Sequence, residues 1–329
     1  MKKRFIPLVV VGGLVGAIVV FFGLDAAFNT CHLPNEETYT NTNWMSLVKD
    51  NAKLNEIAIP GAHDAGTDGM LFLGETQHKD IENQLQAGVR YFDLRVRKTK
   101  KSEYVIYHSF FNGEKFDNVW KTLTDFITIN STETLILDFQ HFDNGAEEYV
   151  CSLLDQNESL LIKNDSPYSD LEFVDSLTLG ESRGKMLALF GDGKEETYDR
   201  DYIFGRNNDE CTKTGMVLDS YYDDDYKKSS EYLIKNVLPE NYNRIEKKMT
   251  NEGFKGLFVL QGQLTDGKLI FGPYSREKTH DKNMSNYINN IKDDSRRLKL
   301  TNIVMRDFLT DEKVSEIVNL NTYKNLMKE

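Results

Sequence analysis

Val89-Arg90-Tyr91-Phe92-Asp93-Leu94-Arg95-Val96 is an alternating run of strand length. A period of two reads as a strand with two distinct faces, so Asp93 and Arg95 share one of them. Segments of the same kind recur on both sides: 54–60 upstream, then 104–108, 134–139, 185–190, 216–218, 256–260 and 302–308. With the opening run, these are eight expected strands. Between several of them apolar residues repeat at three and four. Phe116, Val119, Trp120, Leu123, Phe126 and Ile127 form one such stripe; Met284, Tyr287, Ile288 and Ile291 form another; Val314, Ile317 and Val318 form a third. Alternating strand and helix signals indicate an α/β fold, a mostly parallel sheet with helices outside. Eight strands suggest closure into a barrel, which typically needs ~250 residues; an open doubly wound sheet is the competitor.

The chain has 329 residues and a formal charge of −12. Nucleic acid is bound through clustered Lys and Arg, so this balance argues against such a partner. It also disfavours adsorption to an anionic bilayer by charge alone. Lys2, Lys3 and Arg4 precede an uncharged run from 5 to 24. Twenty helical residues span about 30 Å, the thickness of a bilayer core. Residues 1–30 are therefore expected to be a signal-anchor helix or a signal peptide. The anchor is favoured because the apolar core is long and Leu24-Asp25-Ala26-Ala27 is a poor cleavage site. The rest of the chain would then be extracellular or lumenal, or secreted. Residues 31–50 read as a polar linker with a short lead-in helix near Trp44, and 51–329 as the barrel. Cys31, Cys151 and Cys211 form no metal-site pattern.

In α/β barrels the reactive side chains gather at the C-terminal ends of strands. His63 follows the first expected strand and His108 ends the third. Asp138 and Gln140 close the fourth, Asp219 and Tyr221 follow the sixth, and Asp307 closes the eighth. Two imidazoles, an arginine and several carboxylates then converge on one rim. That set suits phosphodiester transfer. One imidazole takes a proton from an attacking hydroxyl, a second gives one to the leaving oxygen, and an arginine neutralises charge on the phosphoryl oxygens. The remaining histidines, His32, His78, His141 and His280, read as surface or loop residues.

Four stretches carry a family resemblance: Ile59-Pro60-Gly61-Ala62-His63-Asp64-Ala65-Gly66; Gln84-Leu85 with Gly88-Val89-Arg90-Tyr91-Phe92-Asp93-Leu94-Arg95; His108; and Thr134-Leu135-Ile136-Leu137-Asp138-Phe139-Gln140-His141-Phe142. Together they resemble the X domain of phosphatidylinositol-specific phospholipases C, both the X-domain-only eukaryotic proteins and the metal-independent bacterial enzymes. The resemblance implies an irregular (β/α)8 barrel. It also implies cleavage of phosphatidylinositol, or of its glycosylated forms, to diacylglycerol and inositol 1,2-cyclic phosphate at a membrane surface. By that resemblance His63 is the general base, oriented by Asp307. His108 is the general acid, with Asp93 as its carboxylate partner. Arg95 stabilises the phosphoryl charge, and Asp64 assists proton transfer at the leaving oxygen. Asp219, Tyr221, Asp138 and Gln140 fall at substrate-contacting positions.

No cofactor is expected. Arg95 stands where calcium-dependent relatives place an acidic ligand, and its fixed charge predicts metal independence. Two other readings remain open from the residues. One is a metal-dependent glycerophosphodiester or sphingomyelin phosphodiesterase, which would need a Glu-x-Asp pair where this chain has Asp93 and Arg95. The other is a catalytically silent barrel that binds inositol lipids. Blander readings also stand for single residues: Arg95 as the ion-pair partner of Asp93, and Asp307 as a helix N-cap.

Overall fold

The structure is a computed structural model that describes residues 41–193, 195–207, 215–264 and 272–328. The apolar helix expected within residues 1–30, and the linker as far as residue 40, lie outside that range. Among the described residues no helix is long and apolar enough to cross a membrane.

In chain order the strands are β1 (Ile59–Ala62), β2 (Tyr91–Lys98), β3 (Tyr104–His108), β4 (Phe111–Lys115), β5 (Thr134–Asp143), β6 (Lys185–Phe190), β7 (Ile203–Gly205), β8 (Leu218–Ser220), β9 (Leu257–Gln261) and β10 (Ile303–Arg306). Eight of them pair side by side in the order β7-β6-β5-β2-β1-β10-β9-β8, every pair parallel. The two ends of this series meet at a single bridge, Arg206 to Leu218. Val217 N–H donates to the Gly205 carbonyl and Asn207 N–H to the Leu218 carbonyl, both at 2.9 Å. The Asn207 carboxamide prolongs the seam. It donates to the Ser220 carbonyl and accepts from the Ser220 N–H, both at 2.7 Å. The fold is thus a nearly closed, mostly parallel barrel with helices around it, and the open doubly wound sheet is set aside.

The strand set needs one correction. Residues 104–108 do form a strand, but not one of the ring. β2 is eight residues long and overshoots the barrel; β3 folds back antiparallel on its far end, with Val96 opposite Ile106 and Lys98 opposite Tyr104. β4 then pairs antiparallel with β3. The place in the ring belongs to β7, whose three residues are too few to show a period. The expected lead-in helix is a single 3-10 turn, Trp44–Leu47, with the Trp44 indole N–H donating to the Gly88 carbonyl at 2.9 Å.

The turn into β2 shows how local sequence aims the strands. Asp80 caps helix Ile81–Ala87 by accepting from Asn83 N–H at 2.7 Å. Gly88 ends the helix at φ 109°, where a Cβ would lie 2.7 Å from the Asn41 side chain. The chain then enters β2 through Arg90, which is fully buried. Arg90 Nε and Nη2 reach Glu133 Oε2 at 3.0 and 2.9 Å, and Nη1 donates to the Leu85 and Val89 carbonyls. The pair ties the start of β2 to the start of β5, and both partners are inaccessible to solvent. Outside the strands, the expected stripe from Phe116 to Ile127 is buried as one face of helix Phe116–Ile129.

Truncating one partner of a buried ion pair leaves an uncompensated charge, at about 3–5 kcal/mol. Glu133→Ala should therefore lower unfolding stability by that amount in urea titrations. A loss under about 1 kcal/mol would show that Arg90 finds other solvation.

Candidate active site

The chemistry-bearing residues come to the barrel rim from three directions. β1 ends at Ala62, and His63 and Asp64 follow; β10 ends at Arg306, and Asp307 follows. The two strands run in register, Ala62 beside Arg306, so their next residues emerge together. His63 Nδ1 lies 2.7 Å from Asp307 Oδ1, an orienting contact that leaves Nε2 facing outward. Asp307 does not cap the following helix. Thr310 does that, accepting from Lys313 N–H at 3.3 Å.

Asp64 is the hub. It is buried, sits at φ 42°, and its backbone N–H donates to Asp93 Oδ2 at 3.1 Å. Its carboxylate meets three partners: Arg95 Nε at 2.8 Å, His63 Nε2 at 3.4 Å and His108 Nε2 at 3.5 Å. Arg95 is therefore paired with Asp64 rather than with Asp93. The two terminal guanidinium nitrogens of Arg95 make no hydrogen bond among the described residues. Burial alone would raise Asp64, but Arg95, His63 and His108 outweigh it and hold the carboxyl well below its ordinary range. Burial alone would lower His63; the carboxylates of Asp64 and Asp307 outweigh it and lift the imidazole to about 9.

His108 reaches the site from β3, outside the ring. Its Nδ1 lies 2.8 Å from the Gly74 carbonyl, which fixes that nitrogen as the donor. The expected pairing of His108 with Asp93 is thus not made. Asp93 lies within the ring beneath Asp64 and holds its backbone, whereas β3 arrives from the side.

These groups line a cavity of about 680 Å³ together with residues from the other half of the ring. Gln140 and Tyr221 line it, as expected. Asp219 does not. On β8 it alternates with Leu218 and Ser220, so it faces helix Leu238–Asn251 and takes Arg244 Nη1 and Lys248 Nζ, both at 2.5 Å. Ser220 is the member of β8 that faces the cavity. Asp138 also lies off the lining. It is fully buried, bonded to the Tyr91 hydroxyl and 3.3 Å from Arg206 Nε, and burial pushes its carboxyl up to about 6. It serves as the counter-charge to Arg206, which does line the cavity.

Three residues escaped the sequence reading. Arg206 follows β7, and its only signal is a cation after the short apolar stretch Tyr202-Ile203-Phe204-Gly205. His141, expected as a loop residue, lines the cavity. Gln77 is fully buried and staples the two strand ends: its amide donates to the His63 carbonyl at 3.0 Å and the Arg306 carbonyl at 2.9 Å, and its oxygen accepts from Leu309 N–H at 3.1 Å. No periodicity marks a residue whose work is done entirely on backbone groups.

Among the described residues, His63, Asp64 and Asp93 are the one group whose ligand atoms lie close enough, within 4.8 Å, to hold a metal ion. Arg95 already occupies Asp64, so a cation there would displace an ion pair and meet a fixed positive charge.

The geometry defines a barrel with an acid–base rim built around a buried carboxylate and an arginine. Comparison with known proteins shows what this chain is similar to. Residues 51–187 match the family model "Phosphatidylinositol-specific phospholipase C, X domain". It is 30% identical over 135 residues to the 1-phosphatidylinositol phosphodiesterase of Listeria monocytogenes, covering 39% of this chain and 41% of the relative. It is 27% identical over 183 residues to human PI-PLC X domain-containing protein 2, covering 46% and 60%. The matched stretches thus span about half the length of these curated relatives. The barrel superposes on the solved phosphatidylinositol-specific phospholipase C from Listeria monocytogenes with a TM-score of 0.65. The superposition covers 86% of this chain and 99% of that one at 20% identity, and it speaks for the fold.

Gln77→Leu would strand the Leu309 N–H, at about 1–3 kcal/mol, and leave the His63 and Arg306 carbonyls one donor each, from the Thr76 hydroxyl and the His63 N–H. The variant should lose stability, and the His63 imidazole should titrate below its native value of about 9 as its hold on Asp307 loosens. Histidine-resolved NMR titration reads this. An unchanged His63 titration in a destabilised variant would reduce Gln77 to a packing role.

Proposed function

We propose that this chain cleaves phosphatidylinositol, releasing diacylglycerol and forming inositol 1,2-cyclic phosphate without a metal. One observation carries the reading: two imidazoles present Nε2 to the same carboxylate oxygen, 3.4 and 3.5 Å away, beside an arginine with unbonded terminal nitrogens. His63, oriented by Asp307, takes the proton from the inositol 2-hydroxyl as that oxygen bonds to phosphorus. The bond from phosphorus to the glycerol oxygen breaks, and His108 supplies the proton to that leaving oxygen. Arg95 faces the phosphoryl oxygens, where charge accumulates. Asp64 holds Arg95 in place and lies between the two proton carriers. The membrane surface is the second partner of this reading. Residues 1–30, as anchor or export signal, would deliver the barrel to an extracellular or lumenal face.

The full chain with phosphatidylinositol micelles in excess EGTA, followed by phosphorus NMR, tests the reaction. Cyclic product should form, and His63→Ala and His108→Ala should each reduce its rate by about 10²–10⁴. Product that forms only with added Ca²⁺ would overturn the role given to Arg95. No product under either condition would leave the barrel a lipid-binding module.

The pH dependence follows from His63. A general base works when deprotonated, and this imidazole is lifted to about 9. The ascending limb of the kcat/KM profile should therefore lie on the alkaline side, toward about 9, with a descending limb imposed by the need for a protonated acid. Asp307→Asn removes one of the carboxylates that raise His63. Its ascending limb should move to lower pH while the maximum falls about 100-fold. A limb that stays in place would show that another group sets it.

A further inference from the structure

We infer that His141, held by Asp192, is a specificity-determining residue that reads ring hydroxyls of the headgroup from the cavity wall. This rests on the reading that the cavity takes an inositol headgroup, and it names a residue the acid–base mechanism does not use.

The backbone supplies the first observation. In the ladder between β2 and β5, Leu94 pairs with Phe139 but Arg95 pairs with His141, so Gln140 is an extra residue. Such bulges re-aim side chains. In a regular strand Gln140 and His141 would point to opposite faces; here both line the cavity.

The second observation is the partner. Asp192, just beyond β6, is anchored by Phe142 N–H at 3.2 Å and places the same oxygen 3.3 Å from His141 Nδ1. This repeats the arrangement of His63 on Asp307: a carboxylate keeps the proton on Nδ1 and presents Nε2 as the free position. His141 Nε2 has no partner among the described residues. Its side chain is 40% exposed, so it is open to a ligand. It lies beside Arg95 in the ladder but makes no ion pair with Asp64, unlike His63 and His108.

The third observation is what surrounds it. Away from Asp64 the wall is made largely of uncharged hydrogen-bonding groups: Gln140, Asn207, Ser220, Gln261 and Gln263. Its one arginine, Arg206, is balanced by Asp138 at 3.3 Å. Gln263 donates to Gln261, which in turn donates to the Ser220 hydroxyl, so the wall is pre-ordered. Polar, mostly neutral and preorganised lining suits a polyol rather than an acyl chain or a second phosphate. With Nδ1 turned to Asp192, Nε2 is placed to hydrogen-bond a hydroxyl.

Calorimetric binding to the full chain tests this without requiring turnover, with myo-inositol 1-phosphate and glycerol 1-phosphate as probes. Both carry the phosphate; only the first carries the ring. The native protein should prefer the inositol phosphate. His141→Ala and Asp192→Asn should each weaken that ligand about tenfold, the worth of roughly one hydrogen bond, and leave glycerol 1-phosphate unchanged. A native preference that survives in both variants, or equal weakening of both ligands, would overturn the role of His141 alone. A native protein with no preference for the ring would overturn the headgroup reading and this inference together.

Discussion

Everything at the rim depends on one buried carboxylate. Asp64 cannot stay ionised inside the barrel mouth unless positive charge stands beside it, because transfer of a lone carboxylate out of water costs several kcal/mol. Arg95 meets that requirement at 2.8 Å, with a charge no working pH removes. The position is strained, with φ at 42°, and Asp93 holds it by accepting the Asp64 N–H. Asp93 and Arg95 come from the same face of β2, and Asp64 from the loop after β1. The parallel pairing of these neighbouring strands is thus what assembles the charge cluster, and the cluster in turn fixes where both imidazoles can point.

This explains which parts of the molecule were legible beforehand. The alternation in β2 put Asp93 and Arg95 on one face, and parity survives folding along a strand that carries no extra residue. His63, Arg95, His108 and Gln140 were found because each sits in a motif or at a strand end, and those positions do converge. The failures have equally local causes. Asp219 was assigned to the cavity because it follows a strand, but one residue of parity turned it toward Arg244 and Lys248. His141 was missed because a bulge breaks parity, and a bulge leaves no mark in an apolar run. β7 was missed because three residues carry no period, while β3 carried a good one yet lies outside the ring. A strand signal reports burial on one face, and an antiparallel arm over a barrel edge supplies that as well as a ring position does.

The sharing of Asp64 also shapes the proton chemistry. Two imidazoles that face one carboxylate are coupled through it: protonating either draws on the same negative charge. Asp307 breaks the symmetry, since it contacts His63 alone, while His108 rests its other nitrogen on the neutral Gly74 carbonyl. The two histidines therefore differ in environment although they converge on one oxygen. Arg95 stabilises Asp64 through Nε alone, and among the described residues its two terminal nitrogens make no hydrogen bond.

The site has a division of labour that follows the chain. His63, Asp64, Asp93, Arg95 and His108 lie within residues 51–187, the stretch that matches the X-domain model. Arg206, Ser220, Gln261 and Asp307 lie beyond it. Of these later residues only Asp307 touches an acid–base group, and Gln77, from within the matched stretch, staples it into place. The other three build the wall across the cavity, next to the seam where β7 and β8 meet through one bridge. That seam is held by one bridge and the Asn207 carboxamide, whereas β1 pairs with β10 over four residues and with β2 over two. The charge cluster and most of the opposite wall are thus built from different parts of the chain, so a substitution in that wall need not disturb the β1–β2–β10 junction.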